Sequence, residues 1–88
     1  MKTTPILYVK SGCPWCTKAL AFFADKKITL DVKDVLRDGE AMARMQKISG
    51  QTKTPTMEYG DFMVADFDTD EFMTAVNKRP DVKAALGL

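Results

Sequence analysis

Ile6-Leu7-Tyr8-Val9-Lys10-Ser11-Gly12-Cys13-Pro14-Trp15-Cys16 is the stretch that decides the fold. Four consecutive apolar residues, closed by Lys10, read as a strand over 6–10 buried on both faces, hence a central one. Lys10-Ser11-Gly12 is a short polar turn. Pro14 then falls at a first helical position, where its missing N–H costs nothing and its fixed φ suits a helix. From there the apolar residues recur at helical spacing. Cys16, Leu20 and Phe23 share one face with Ala19 and Phe22 beside them, which predicts a helix from 13 to about 26. The same stretch holds both of the chain's cysteines. Strand, turn, CxxC and helix in that order is an arrangement for dithiol–disulfide chemistry.

The spacing carries the chemical argument. A helix N-terminus has unpaired N–H groups and a partial positive charge. A thiol held there ionises more readily, its pKa falling from about 8.5 to roughly 3.5–7 in such settings. Cys13 sits at the expected N-cap and is assigned the attacking role. Cys16 lies one turn further on the same face, placed to resolve a mixed disulfide on Cys13. Lys10 and Lys18 lie close in sequence and add positive potential, and Trp15 offers an apolar contact to a substrate. Two other readings compete. A structural zinc site needs four ligands, and the chain has no histidine and no third cysteine, so no metal is expected. An inert buried pair is opposed by Pro14 at the first helical position and by Gly12 before Cys13.

Outside this stretch the composition is that of a single globular domain over residues 1–88. Apolar residues make up 45% and charged residues 28%, and 13 basic against 12 acidic residues leave +1. Such a balance offers no electrostatic footprint for nucleic acid or an acidic membrane surface. The apolar run at 6–9 is too short for a signal-peptide core or a membrane span, and a cytoplasmic location is expected. In a reducing compartment a lone cysteine pair is catalytic more often than a structural staple. No oligomer signal stands out, and a monomer is expected.

Further along, residues 28–33 alternate apolar and polar, with Ile28, Leu30 and Val32 on one side, which predicts an edge strand with one buried face. A second helix is expected over 38–49, with Ala41, Met45 and Ile48 as its stripe, Met42 alongside and Gly50 as its stop. A polar loop leads to Thr54-Pro55. Strands are expected at 56–59 and 62–65, joined by a two-residue hairpin turn at Gly60-Asp61. Asp68 and Glu71 resemble a capping box for a third helix, with Phe72, Met73 and Val76 facing inward. That helix stops before Pro80, and residues 80–86 form a last short helix closed by Gly87. The order is βαβα–ββα. A right-handed crossover makes the first two strands parallel, and the hairpin adds two antiparallel ones. The fold class is therefore α/β, a four-stranded mixed sheet with helices on both faces.

The CxxC motif opening a helix in this frame resembles the thioredoxin superfamily, and three features resemble its glutaredoxin branch. The catalytic strand comes almost first. The motif has Pro after the first cysteine and an aromatic before the second, as in dithiol glutaredoxins, where Tyr is commoner than Trp. Gly50-Gln51-Thr52-Lys53-Thr54-Pro55 resembles the loop leading to the family's proline. The resemblance implies a thioredoxin-like fold, a cis Thr54–Pro55 bond, and backbone hydrogen bonds from the residue before Pro55 to a substrate cysteine. Thr54 stands where the family usually has Val.

The resemblance also implies a substrate and glutathione groove around Pro14, Trp15, Thr54 and Pro55. In it Lys10 meets the glycine carboxylate, Gln51 and Thr54 line the wall, and Asp68 receives the γ-glutamyl amine. Without a ligand, Lys10 is a solvated charge, Gln51 loop surface and Asp68 a plain N-cap. Glutaredoxins usually carry Gly-Gly before the capping acid; here those positions are Ala65-Asp66. The family's basic residue falls at Thr52, with Lys53 displaced by one.

The expected function is a glutathione-dependent dithiol–disulfide oxidoreductase, with Cys13 attacking and Cys16 resolving. No bound cofactor is expected, glutathione being the reducing co-substrate and disulfide-containing proteins the other partners. One alternative is a thioredoxin-like redoxin reduced by a flavoprotein reductase. Another is a module in which two subunits share an iron–sulfur cluster through Cys13 and glutathione, which Pro14 weighs against. A third keeps the fold without useful redox chemistry.

Overall fold

Strand β1, Ile6–Val9, runs through the middle of the sheet, and its side chains divide between two apolar layers. Leu7 and Val9 enter one, Ile6 and Tyr8 the other, as the two-residue period of a strand requires. The computed structural model describes residues 4–88. Helix α1 (Pro14–Asp25) crosses over to β2 (Asp31–Asp34), and α2 (Gly39–Ser49) leads back to the hairpin of β3 (Thr56–Tyr59) and β4 (Phe62–Ala65). Helices α3 (Thr69–Asn77) and α4 (Pro80–Ala85) end the chain. The strand order is β2-β1-β3-β4. Among the described strands only β1 and β2 are parallel, with Leu7 opposite Val32, while β1–β3 and β3–β4 are antiparallel. This is the mixed α/β sheet that the order of elements predicted.

The larger core lies between the sheet and α1, α3 and α4. Phe72 of α3 is fully buried at its centre. Its ring stands edge-on to Phe23 of α1 at 4.9 Å and approaches Phe67 at 5.5 Å and Phe22 at 5.9 Å. Edge-to-face contacts of this kind add to the burial of the rings themselves. The opposite face is covered by α2 through Ala41 and Met45, packed on Tyr8 and Val35. There the Tyr8 hydroxyl donates to Glu58 at 2.8 Å, and Arg44 of α2 grips the same carboxylate at 2.5 and 3.3 Å. Burial, and then the Glu58 carboxylate, push the Tyr8 hydroxyl up to about 12.

The helix starts follow their local chemistry. Asp38 caps α2 by accepting from the N–H groups of Glu40 and Ala41, both at 3.1 Å. Asp68 and Glu71 form the expected capping box, with bonds of 2.7 and 3.0 Å. Gly50, at φ 69°, stops α2 in the left-handed conformation that a side chain disfavours.

The second strand departs from expectation. It covers Asp31–Asp34 rather than 28–33. Helix α1 ends in a Schellman closure, with Lys27 at φ 58°. The Lys27 N–H donates to Ala24 O and the Ile28 N–H to Phe23 O, both at 3.0 Å. That turn occupies Ile28, and pairing with the four-residue β1 then starts at Asp31. Ile28 and Leu30 still pack on the core from the connection, but Val32 on the edge strand is about half exposed. The buried face expected of this strand is therefore absent from the strand itself.

Replacing Phe72 by Ala removes the ring that joins α3 to α1. A loss of about 3–5 kcal/mol is expected for such a change. Denaturant unfolding measures it, and a loss below about 1 kcal/mol would contradict a packed aromatic centre.

Candidate active site

Cys13 stands at the junction of β1 and α1, and the backbone fixes it there. Its N–H donates to Lys10 O at 3.2 Å across the polar turn, where Gly12 takes φ 81°. Its carbonyl accepts from the Thr17 N–H at 3.1 Å, the first bond of the helix. Pro14 follows in the first helical turn. The Cys13 sulfur takes the place usually filled by a capping oxygen, and it accepts from the Cys16 N–H at 3.2 Å. The Ser11 hydroxyl donates to the Asp34 carboxylate at the end of β2, tying the turn to the neighbouring strand. That bond is the chief reason the Asp34 carboxyl lies below its ordinary range.

The second wall comes from the loop before β3. Its Thr54–Pro55 bond is cis. Thr54 meets the Cys13 sulfur twice, through its carbonyl at 3.8 Å and its hydroxyl at 3.7 Å. Gln51 shapes the loop from within. Its amide N–H groups donate to Ser49 Oγ at 2.9 Å and Thr56 Oγ1 at 3.2 Å, and its carbonyl accepts from the Lys53 N–H at 2.5 Å. Both ends of that amide are thus engaged inside the loop.

The two cysteines sit in unequal surroundings. Cys16 is 2% exposed and faces the core, whereas Cys13 is partly open. Burial works against the Cys13 thiolate. It is outweighed by hydrogen bonds from the Cys16 side chain and N–H, the Thr54 hydroxyl and the Trp15 backbone, so the Cys13 pKa is lowered. For Cys16 burial is the larger influence, and the hydrogen bond to Cys13 adds to it, so its pKa is raised. The pair therefore presents one accessible, ionisable sulfur and one buried reserve.

Cys13, Cys16, Pro14, Trp15, Thr54 and Pro55 gather at this end of the sheet. Trp15 is 53% exposed, with the Lys18 ammonium 4.7 Å from its ring centre. Asp68 lies across from it. Trp15, Lys18, Phe67 and Asp68 share a depression of about 170 Å³. Lys10 is half-buried at the end of β1, its carbonyl holding the turn. Asp66 has φ 52°, a conformation open to Gly and tolerated by Asp. Its carboxylate lies 3.9 Å from the Lys53 ammonium.

Two contributors escaped the sequence reading. Phe67 was not singled out for the site, yet its N–H donates to Pro55 O at 3.4 Å while its ring enters the core. An apolar residue between two acids was the available signal. The Ser11–Asp34 bond spans 23 positions and left no local trace.

A family model described as Glutaredoxin matches residues 6–64. The chain belongs to the glutaredoxin family. Solved structures agree on the fold. A glutaredoxin from Brucella melitensis is 26% identical, with a TM-score of 0.67 over 96% of this chain and 88% of that one. The glutaredoxin grx-1 from Archaeoglobus fulgidus is 19% identical, with a TM-score of 0.73 over 85% and 87% of the two chains. The thioredoxin-like protein BC3987 is 22% identical, with a TM-score of 0.74 over 82% and 99%. No curated protein matches the chain. The architecture is thus the thioredoxin-like fold, and membership of the glutaredoxin family points to thiol–disulfide oxidoreduction as the class of activity. The matched span ends before Asp66 and Asp68. Among the described residues no helix is long and apolar enough to cross a membrane.

The unequal cysteines make a pH prediction. Cys13 reacts as its thiolate, so its alkylation by iodoacetamide should stay fast below the pH at which an ordinary thiol protonates. The rate should fall only as pH drops through the lowered Cys13 pKa. Cys16 should remain unmodified in the folded chain over that range. Rate profiles with peptide mapping check this, and a Cys13 midpoint at or above that of a free cysteine would contradict it.

Proposed function

We propose that this glutaredoxin-family chain reduces protein disulfides and glutathione mixed disulfides in the cytoplasm, with Cys13 as nucleophile and Cys16 as resolving thiol. One observation carries the reading: the Cys13 sulfur caps α1, accepting the Cys16 N–H at 3.2 Å, while Cys16 stays buried one turn behind it. The Cys13 thiolate attacks one sulfur of a substrate disulfide. A bond forms between Cys13 and that sulfur, and the other substrate sulfur leaves as a thiolate. Cys16 then loses its proton and attacks the Cys13 sulfur. The substrate's second thiolate departs, and Cys13 and Cys16 are left as a disulfide. Two electrons have passed from the dithiol to the substrate. Two glutathione thiols, oxidised together to their disulfide, restore the dithiol.

The groove supports a peptide ligand. Trp15 and Phe67 give it an apolar floor, Asp68 offers a carboxylate to an amine, and Lys10 stands at the start of the turn. Gln51 acts here through the shape of its loop, since its amide is engaged at both ends.

A second reading, a redoxin served by a flavoprotein reductase, is favoured by Asp66. Its carboxylate replaces a hydrogen at the rim, beside Asp68 and Glu71 in the depression shared with Trp15. Glutathione brings two carboxylates of its own, so this rim repels it more than a Gly-Gly rim does.

Reduction of a glutathione mixed disulfide, coupled in parallel to glutathione with glutathione reductase and to thioredoxin reductase, separates the two. Turnover with glutathione is expected. Turnover with thioredoxin reductase alone would establish the second reading. Cys13→Ser should abolish both, and Cys16→Ser should keep only the reactions that glutathione completes by itself. Full activity in Cys13→Ser would remove the proposed nucleophile.

A further inference from the structure

We infer that the Thr54 hydroxyl is a catalytic hydrogen-bond donor to the Cys13 thiolate. The inference rests on the dithiol reading above. It concerns a group that a valine at this position would lack.

The geometry places the hydroxyl against the reacting atom. Thr54 Oγ1 lies 3.7 Å from Cys13 Sγ, and the Thr54 carbonyl lies 3.8 Å from it. These contacts respond oppositely to ionisation. A neutral thiol donates its proton to the carbonyl. A thiolate has no proton to give, so that bond vanishes, whereas the bond from the hydroxyl gains a charged acceptor and strengthens. Thr54 is 8% exposed, so water competes poorly for the hydroxyl. Its β-branched side chain is stiff about χ1, which holds the oxygen in place. Thr56, two residues on, sends its own hydroxyl to Lys53 O at 2.9 Å and takes no part.

Thr54→Val removes the donor and keeps the shape, while Thr54→Ser keeps the donor. Two readouts are needed: titration of Cys13 by thiolate absorbance and alkylation rate, and the first release of chromophore from an aromatic disulfide reagent, which follows attack by Cys13. Thr54→Val should move the Cys13 midpoint up by about one pH unit, a tenfold loss of thiolate below it, and should slow that release several-fold below the midpoint. Thr54→Ser should follow the parent chain in both. A Thr54→Val titration that superimposes on the parent overturns the inference. Should Thr54→Val fail to fold by its thermal melt, Thr54→Ala against Thr54→Ser makes the same comparison. Because Cys13→Ser tests the dithiol reading separately, an inactive Cys13→Ser beside an unshifted Thr54→Val sinks only the role of Thr54.

Discussion

A sulfur caps helix α1, and the reactive end of the molecule depends on that single bond. The Cys16 N–H reaches Cys13 Sγ at 3.2 Å. A helix start normally meets an oxygen there, and the bond to a neutral sulfur is weaker. Ionisation changes this. An anion at a helix N-terminus is favoured by the dipole and by the unpaired N–H groups. The interaction that begins the helix thus also stabilises the Cys13 thiolate. The helix need not be long for this, since the effect belongs to its first turn. It does need its start fixed in space, and β1, paired on both sides at the centre of the sheet, supplies that fixed point.

The other half of the site arrives from 41 residues away. Phe67 joins the pieces. Its N–H holds Pro55, its ring lies 6.4 Å from Phe23 of α1, and it sits 5.5 Å from Phe72 of α3. The helix with the cysteines, the loop with Thr54 and the cap of α3 therefore share one aromatic core. A shift of any of them moves rings that are packed on all sides, which a close-packed interior resists. A sulfur contact near 3.7 Å between distant segments is held by that packing rather than by its own strength.

Features written in neighbouring residues were legible in the sequence. The strand, turn and helix around Cys13, the Gly60-Asp61 hairpin and the Asp68–Glu71 box each follow from residues within a few positions of one another. The end of α1 was read to within a residue, but the way it closes was not legible, because its left-handed position is filled by Lys27 rather than Gly. The bounds of β2 were misread for a related reason. Its alternation is real, but pairing is limited by the length of β1, a fact about the partner strand. At the site, the cysteines and the Thr-Pro were visible as residue types. The bond from Ser11 to Asp34, the inward turn of Gln51 and the reach of the Thr54 hydroxyl all depend on chain segments brought together by folding.

The rim at Asp66 shows how the same frame can alter affinity without touching the chemistry. Asp66 keeps the left-handed backbone that glycine would adopt there, so the loop retains its course and Phe67 its place. What changes is charge. The Lys53–Asp66 pair is long, at 3.9 Å, and both side chains are more than half exposed. A pair of that kind contributes about 0–1 kcal/mol. A ligand carboxylate can therefore take Lys53 from Asp66 at little cost, but the displaced Asp66 remains beside the groove and opposes the newcomer. On the glutathione-dependent reading proposed above, that exchange would return little net attraction for glutathione. A protein substrate without an acidic group at that point would avoid the opposition altogether. On that reading, discrimination between the two would reside in one side chain at the rim, apart from the Cys13 sulfur.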